Sequence, residues 1–147
     1  MKEQQYQMLV SQIASLIEGE TDEIAIMSNV AAAIHQEMHF WWIGFYRVAV
    51  DELLLGPFQG PVACMHIPFG RGVCGTAWQR RETIVVPDVE QFPGHIACSS
   101  ASRSEIVVPV FNKEGNVIAV LDIDSEHLAT FDDTDRRYLE QICQLIA

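Results

Sequence analysis

The segment "GHIACSSASRSEI", residues 94–106, sets one thiol, Cys98, among small polar residues, where an apolar packing site is hard to build. His95 stands three residues before it and Arg103 five after. Positive neighbours lower a thiol pKa and raise the thiolate fraction, so the spacing suits a nucleophile. The plainer alternative is a small residue buried beneath a loop. Ser99, Ser100 and Ser102 offer poor apolar company, which favours the reactive reading. Cys74 falls near the start of a short predicted helix, where the helix dipole would stabilise a thiolate; ordinary helix packing is the equal alternative. Cys64 lies in a predicted strand and, by alternation, shares a face with His66 and Pro68 while Met65 and Ile67 point the other way. Cys143 sits on the apolar stripe of the last predicted helix and reads as core. A zinc site from Cys64, Cys74, Cys98 and a histidine ranks below redox chemistry, because structural zinc normally uses closely spaced cysteine pairs and these gaps are ten and twenty-four residues.

Acids form the second group. In "VIAVLDIDS", Asp122 and Asp124 are two apart on a predicted strand and point to one face, preceded there by Ile118 and Val120. Glu105 opens the neighbouring predicted strand. Mutual repulsion and loss of water both raise a carboxyl pKa, so one of the three is expected to stay protonated near neutrality. Solvated strand ends are the alternative, and the coincidence of three acids at the edges of two apolar strands favours a site. In "FWWIGFYRV", Trp42 and Tyr46 share a strand face with Gly44 between them, an arrangement expected to leave a hollow. Trp41, Phe45 and most other aromatics read as core. Gly70, Gly72 and Gly75 match G-x-G-x-x-G after a strand and before a helix, but no repeated βαβ pattern follows. A tight turn is the favoured reading, and its helix N-terminus offers N–H groups to a carboxylate. No Lys-Ser or Lys-Thr pair is present, which excludes a P-loop.

The elements that must position these groups follow from periodicity. Residues 3–17 predict a helix, with Tyr6, Leu9, Val10, Ile13 and Ile17 at helical spacing and Gly19 ending it. Thr21 is expected to cap a second helix that carries Ile24, Met27, Ala31, Ile34 and Met38 on one side. Strands are predicted at 40–48, 51–58, 63–69, 82–88, 105–111 and 117–124, with a short helix at 72–81 and a long irregular segment at 89–104. Loops of that length are often functional. A last helix carries Leu139, Ile142, Cys143 and Ile146. Strands joined largely by hairpins imply an antiparallel sheet with helices packed on it, an α+β domain.

Composition bounds the partners. The 147 residues are 49% hydrophobic and 20% charged, enough for one core, and one domain over 1–147 is expected. A net charge of −11 disfavours nucleic acid and anionic lipid. The N-terminus lacks a signal-peptide pattern and no apolar run approaches the roughly 20 residues of a membrane span. A cytoplasmic protein with reduced thiols is the expectation.

Together "GPFQGPVACMHIPFGRGVCGTA", "DVEQFPGHIACSSASRSEIVVPV" and "VLDIDS" resemble the free methionine-R-sulfoxide reductases, single-domain proteins of the GAF fold. The resemblance covers residues 40–131 and implies a six-stranded antiparallel sheet, a homodimer, no cofactor or metal, and reduction of free methionine (R)-sulfoxide with thioredoxin as the reductant. By position, Cys98 looks like the attacking cysteine and Cys64 like the resolving one; Cys74 matches a third cysteine that is an alternative resolving or recycling thiol. Glu105, Asp122 and Asp124 match the acidic substrate-binding residues, and Trp42 and Tyr46 the aromatic wall around the methyl group. A GAF module that binds a small ligand without chemistry is the alternative, since one fold hosts many functions.

Overall fold

In the computed structural model, which describes residues 1–96, 98 and 100–147, two helices precede the first strand. Helix α1 (Lys2–Leu16) buries Tyr6, Leu9 and Ile13. Helix α2 (Glu23–Met38) is capped by Asp22, not by the expected Thr21: the Asp22 carboxylate accepts from the Ala25 N–H. A carboxylate also complements the positive helix end, where a threonine hydroxyl does not. The buried side of α2 is Ile26, Met27, Val30, Ala31 and Ile34, while Ile24, in the first turn, is exposed instead of joining that stripe.

The remaining elements are β1 (Trp42–Ala49), β2 (Glu52–Gln59), β3 (His66–Pro68), α3 (Gly72–Arg80), β4 (Ile84–Val86), β5 (Ser104–Phe111), β6 (Val117–Ser125) and α4 (Asp133–Ile146), with one 3-10 turn at Val89–Gln91. The six strands form one antiparallel sheet in the order β3-β2-β1-β6-β5-β4. Strand β3 is much shorter than the predicted 63–69, so Cys64 lies in the loop before it and the strand alternation assigned to it does not apply. Within β3, Ile67 is buried and His66 and Pro68 are exposed. Among the described residues no helix is long and apolar enough to cross a membrane.

The sheet separates two apolar layers. On one face Ile43, Phe45, Ile106, Val108, Leu121 and Ile123 pack against α1, α2 and α4. Leu139, Ile142, Cys143 and Ile146 line the buried side of α4, as their spacing predicts, and burial pushes the Cys143 thiol up. On the other face Trp42, Tyr46, Val107 and Val120 pack with Val73, Cys74 and Ala77 of α3. Ile118 belongs to the helical layer rather than to the face of Val120, because the β5–β6 register shifts between Val110 and Phe111.

One buried polar contact ties the chain ends together. Tyr6 donates its hydroxyl to Asp135 at 2.6 Å, and Lys2 reaches the same carboxylate at 2.7 Å. Asp135 is fully buried and also closes the capping box at the start of α4. Tyr6 stacks on Tyr138 with ring centres 5.4 Å apart. Tyr6→Phe keeps the ring but removes the donor, leaving a buried carboxylate short of a partner. Urea unfolding should show a loss of about 1.5–3 kcal/mol, the range for a hydrogen bond to a charged group.

Candidate active site

Register brings the three predicted acids together. Asp124 on β6 is paired with Trp42 of β1 on one side and with Glu105 of β5 on the other. Asp122, two residues earlier, pairs with Gly44 and Val107. Opposed residues of antiparallel strands share a face, so Glu105, Asp122, Asp124, Trp42 and Tyr46 all project to the side covered by α3. They border one cavity of about 60 Å³, enough for a few water-sized groups. Cys64, on the loop before β3, forms a disulfide with the cavity-lining Cys98, with Cα atoms 5.4 Å apart. Cys98 is exposed and lines the cavity, and the Cys64 residue is half-buried.

The aromatic wall does more than surround the cavity. The Trp42 indole N–H donates to the Pro61 carbonyl and the Tyr46 hydroxyl to the Cys64 carbonyl, both at 2.9 Å. These two bonds fasten the 61–64 loop, and with it Cys64, to β1. Burial and the nearby Asp122 push the Tyr46 phenol up, which keeps it a donor. The expected hollow at Gly44 is absent. A Cβ there would collide with the Phe58 side chain and lie 2.7 Å from the Trp42 ring. Trp42 stacks on Phe58 with centres 5.3 Å apart, so the glycine lets the indole lie flat against the strand.

Glu105 and Asp122 are each 6% exposed. Burial raises the Glu105 carboxyl well above the usual range, and the charges of Asp122 and Asp124 raise it further. Asp124 is raised by burial and by Asp122, against a 3.2 Å hydrogen bond donated by Ser102. Asp122 is also raised by burial, but contacts from Glu105, Cys74 and Asp124 pull it back down. Burial thus favours the neutral form at all three carboxyls, most strongly at Glu105 and Asp124. Oδ1 of Asp122 is buried without a hydrogen-bond partner.

At Cys74 the structure favours the helix-packing alternative over the dipole-stabilised thiolate. Cys74 sits in the first turn of α3, as predicted, but it is 4% exposed and faces the acids. Burial, then Asp122, Glu105 and Asp124, push its thiol well above the ordinary value, and this outweighs the helix dipole. His95 lines the cavity, yet burial lowers its pKa, so it is not the standing positive neighbour that the spacing suggests. Arg103 is exposed and does not border the cavity. Ser99 lies outside the described residues. Cys64 and Cys98 are bonded to each other and so do not form a metal-binding set with Cys74. The donor atoms of Cys74, Glu105 and Asp122 do lie within 4.8 Å of one another, a spacing a divalent ion would accept if all three lost their protons. Gly75 serves packing: a Cβ there would stand 2.5 Å from the Pro68 carbonyl oxygen, so α3 approaches the end of β3 only because the residue is glycine.

Trp41, Ile67, Ile96 and Ser102 also line the cavity, and the sequence analysis assigned them no role there. Trp41 precedes β1, so strand alternation does not turn it toward the helices. Ile96 and Ser102 lie in the long segment already marked as functional by its length.

An acid whose folded pKa is raised contributes stability below its unfolded pKa of about 4 and loses it as pH rises through the folded value. Wild-type protein should therefore unfold at lower urea at pH 8 than at pH 5. Glu105→Gln, which keeps a neutral donor, should flatten that decline. Parallel pH slopes in the two proteins would count against a proton held at Glu105.

Residues 20–147 match the family model described as GAF domain. The chain is 56% identical to GAF domain-containing protein A of Dictyostelium discoideum, over 99% of this chain and 92% of that protein. It is 40% identical to the free methionine-R-sulfoxide reductase of Saccharomyces cerevisiae, over 99% of this chain and 85% of that protein. The crystal structure of the free methionine-R-sulfoxide reductase of Neisseria meningitidis in complex with its substrate superposes with a TM-score of 0.96 at 52% identity, covering 99% of this chain and 88% of that one. With a six-stranded antiparallel sheet, four helices and this degree of identity, the chain belongs to the GAF-domain family and, within it, to the free methionine-R-sulfoxide reductases.

Proposed function

We propose that this protein reduces free L-methionine (R)-sulfoxide to methionine, with Cys98 as the nucleophile and Cys64 as the resolving thiol. The observation that carries this reading is a disulfide beside a cavity floored by three buried carboxyl groups, each of which burial pushes toward its neutral form. Sulfoxide sulfur becomes electrophilic when its oxygen receives a proton, and a neutral carboxyl of the Glu105, Asp122 and Asp124 group is suited to give it. The Cys98 thiolate attacks sulfur, the oxygen passes to Cys98 as sulfenic acid, and methionine leaves. The Cys64 thiol then attacks the sulfenic sulfur, releasing water and forming the Cys64–Cys98 disulfide. Two electrons from the cysteine pair have reduced the sulfoxide, and a dithiol such as thioredoxin restores them. Cys74, buried and protonated, is the alternative resolving thiol.

Trp42 and Tyr46 form the apolar wall for the substrate methyl group. The unpartnered Oδ1 of Asp122 suits the substrate ammonium, and N–H groups at the start of α3 suit its carboxylate. A site that takes both charged ends of the amino acid rejects the same side chain inside a polypeptide, where both ends are amides. We further propose that residues 1–147 act as one domain, in the cytoplasm, as a homodimer. The exposed Met8 and Leu16 of α1 and Leu145 of α4 supply apolar surface for self-association.

Thiol counting tests the reading. Pre-reduced wild-type protein, mixed with free methionine (R)-sulfoxide and no reductant, should lose two titratable thiols per chain and release one methionine. A binding module without chemistry keeps all four. Cys98→Ser should lose at least about 10³-fold in thioredoxin-coupled turnover, and Cys64→Ser should release one methionine per site and then stall. Full cycling by Cys64→Ser would move the resolving role to Cys74.

A further inference from the structure

The charges of this chain are unevenly placed. Residues 53–81 and 91–104 hold four of the nine Lys and Arg residues and none of the twenty Asp and Glu residues. The rest of the chain carries five cations against all twenty acids. Cys64 lies in the first acid-free segment and Cys98 in the second. In the fold the two segments meet at the cavity mouth. Arg71 and Arg103 are both exposed; Arg71 precedes the cavity-lining Gly72 and Arg103 follows the cavity-lining Ser102. Among the described residues neither is paired with a carboxylate. Arg81, by contrast, is engaged with the Gly115 carbonyl and the Phe111 ring. Beside Cys64, Val62 is 89% exposed, Met65 66% and Phe69 50%. The exposed surface beside the disulfide thus carries apolar side chains and two arginines, and its Glu52 is held by His66 at 2.9 Å.

We infer that this surface, centred on Cys64–Cys98 and flanked by Arg71 and Arg103, is the docking face for a dithiol protein whose own surface around its dithiol is negatively charged. The inference rests on the reductase reading and names the recognition step of its recycling half. Free methionine sulfoxide is a zwitterion without net charge, so it gains little from a positive rim. A protein reductant with a negative face gains attraction at the rim and would meet repulsion elsewhere on the chain. A second copy of this chain has negative surface to offer, but exchange between two copies leaves the number of disulfides unchanged. The dithiol partner balances the step. One of its thiolates attacks a sulfur of Cys64–Cys98, the disulfide breaks, and the released cysteine takes a proton. The partner's second thiol then attacks the mixed disulfide, so the partner leaves oxidised and both cysteines leave reduced.

The test compares two reductants with the same substrate. With thioredoxin of negative surface charge around its dithiol, kcat/KM for the reductant should fall about 10-fold in Arg71→Glu at low salt, and further in Arg71→Glu/Arg103→Glu. Added salt should lower the wild-type value and leave the double variant nearly flat. With dithiothreitol, pre-oxidised Arg71→Glu should regain its thiols at the wild-type rate in the absence of methionine sulfoxide, and Arg71→Lys should behave as wild type with both reductants. A thioredoxin kcat/KM that ignores both charge reversals and salt would overturn the inference, as would an equal loss with dithiothreitol. A change of oligomeric state in the variants, seen by light scattering, would assign the face to a second copy and overturn it as well. Failure of wild-type protein to turn over with either reductant would instead sink the reductase reading.

Discussion

Three carboxyl groups cannot all be charged in a space this small and this dry. That constraint follows from the register of three strands, which sets Glu105 opposite Asp124 and Asp122 one step along the same face. Burial pushes each group upward, and the charge of Asp122 pushes Glu105 and Asp124 further while contacts from its neighbours pull Asp122 back. The cheapest state keeps protons between them, since a buried charge without a partner costs far more than a neutral acid. A cluster of neutral or shared-proton acids is a donor surface. It is suited to an oxygen that gains negative charge as it is reduced, and Asp122, the more ionised member, is left for a cation.

The helical layer makes that constraint tolerable. Ile43, Phe45, Ile106, Leu121 and Ile123 alternate with the site residues along the same strands, so every strand that carries an acid into the cavity also drives apolar side chains into the main core. Burying one such aliphatic or aromatic side chain contributes roughly 1.5–3 kcal/mol. Registers shifted by one residue would turn the acids into that core, so the pairing is strongly specified. The fold holds the acids in place through residues that never touch the cavity.

Much of this was legible from period and type. The alternation in 117–124 put Asp122 and Asp124 on one face, and the apolar stripes of 3–17 and 130–147 identified the outer helices. Cys98 among serines pointed to a thiol outside the core, and it is exposed at the cavity. What was not legible depended on where elements stop. Cys64 was assigned a strand face because 63–69 has strand composition, yet pairing covers only His66–Pro68. Trp41 reads as ordinary core by its type, yet it stands one residue before β1 and lines the cavity. The filling of the space at Gly44 depends on Phe58, a residue of another strand. The sign of the Cys74 shift depends on acids thirty to fifty residues away in sequence, which no local pattern reports.

That last correction explains the division of labour in the cavity. The field that keeps protons on Glu105 and Asp124 also keeps one on Cys74, the thiol that α3 sets among them. A thiol that does not ionise is a poor nucleophile toward a sulfoxide or a sulfenic acid. Any cysteine placed on the floor of this cavity would meet the same penalty, however it were oriented. Cys64 and Cys98, by contrast, lie on loops outside the sheet and are bonded to each other. Tyr46 and Trp42 span the two regions: their rings wall the proton-rich floor, while their polar atoms hold the loop that carries Cys64.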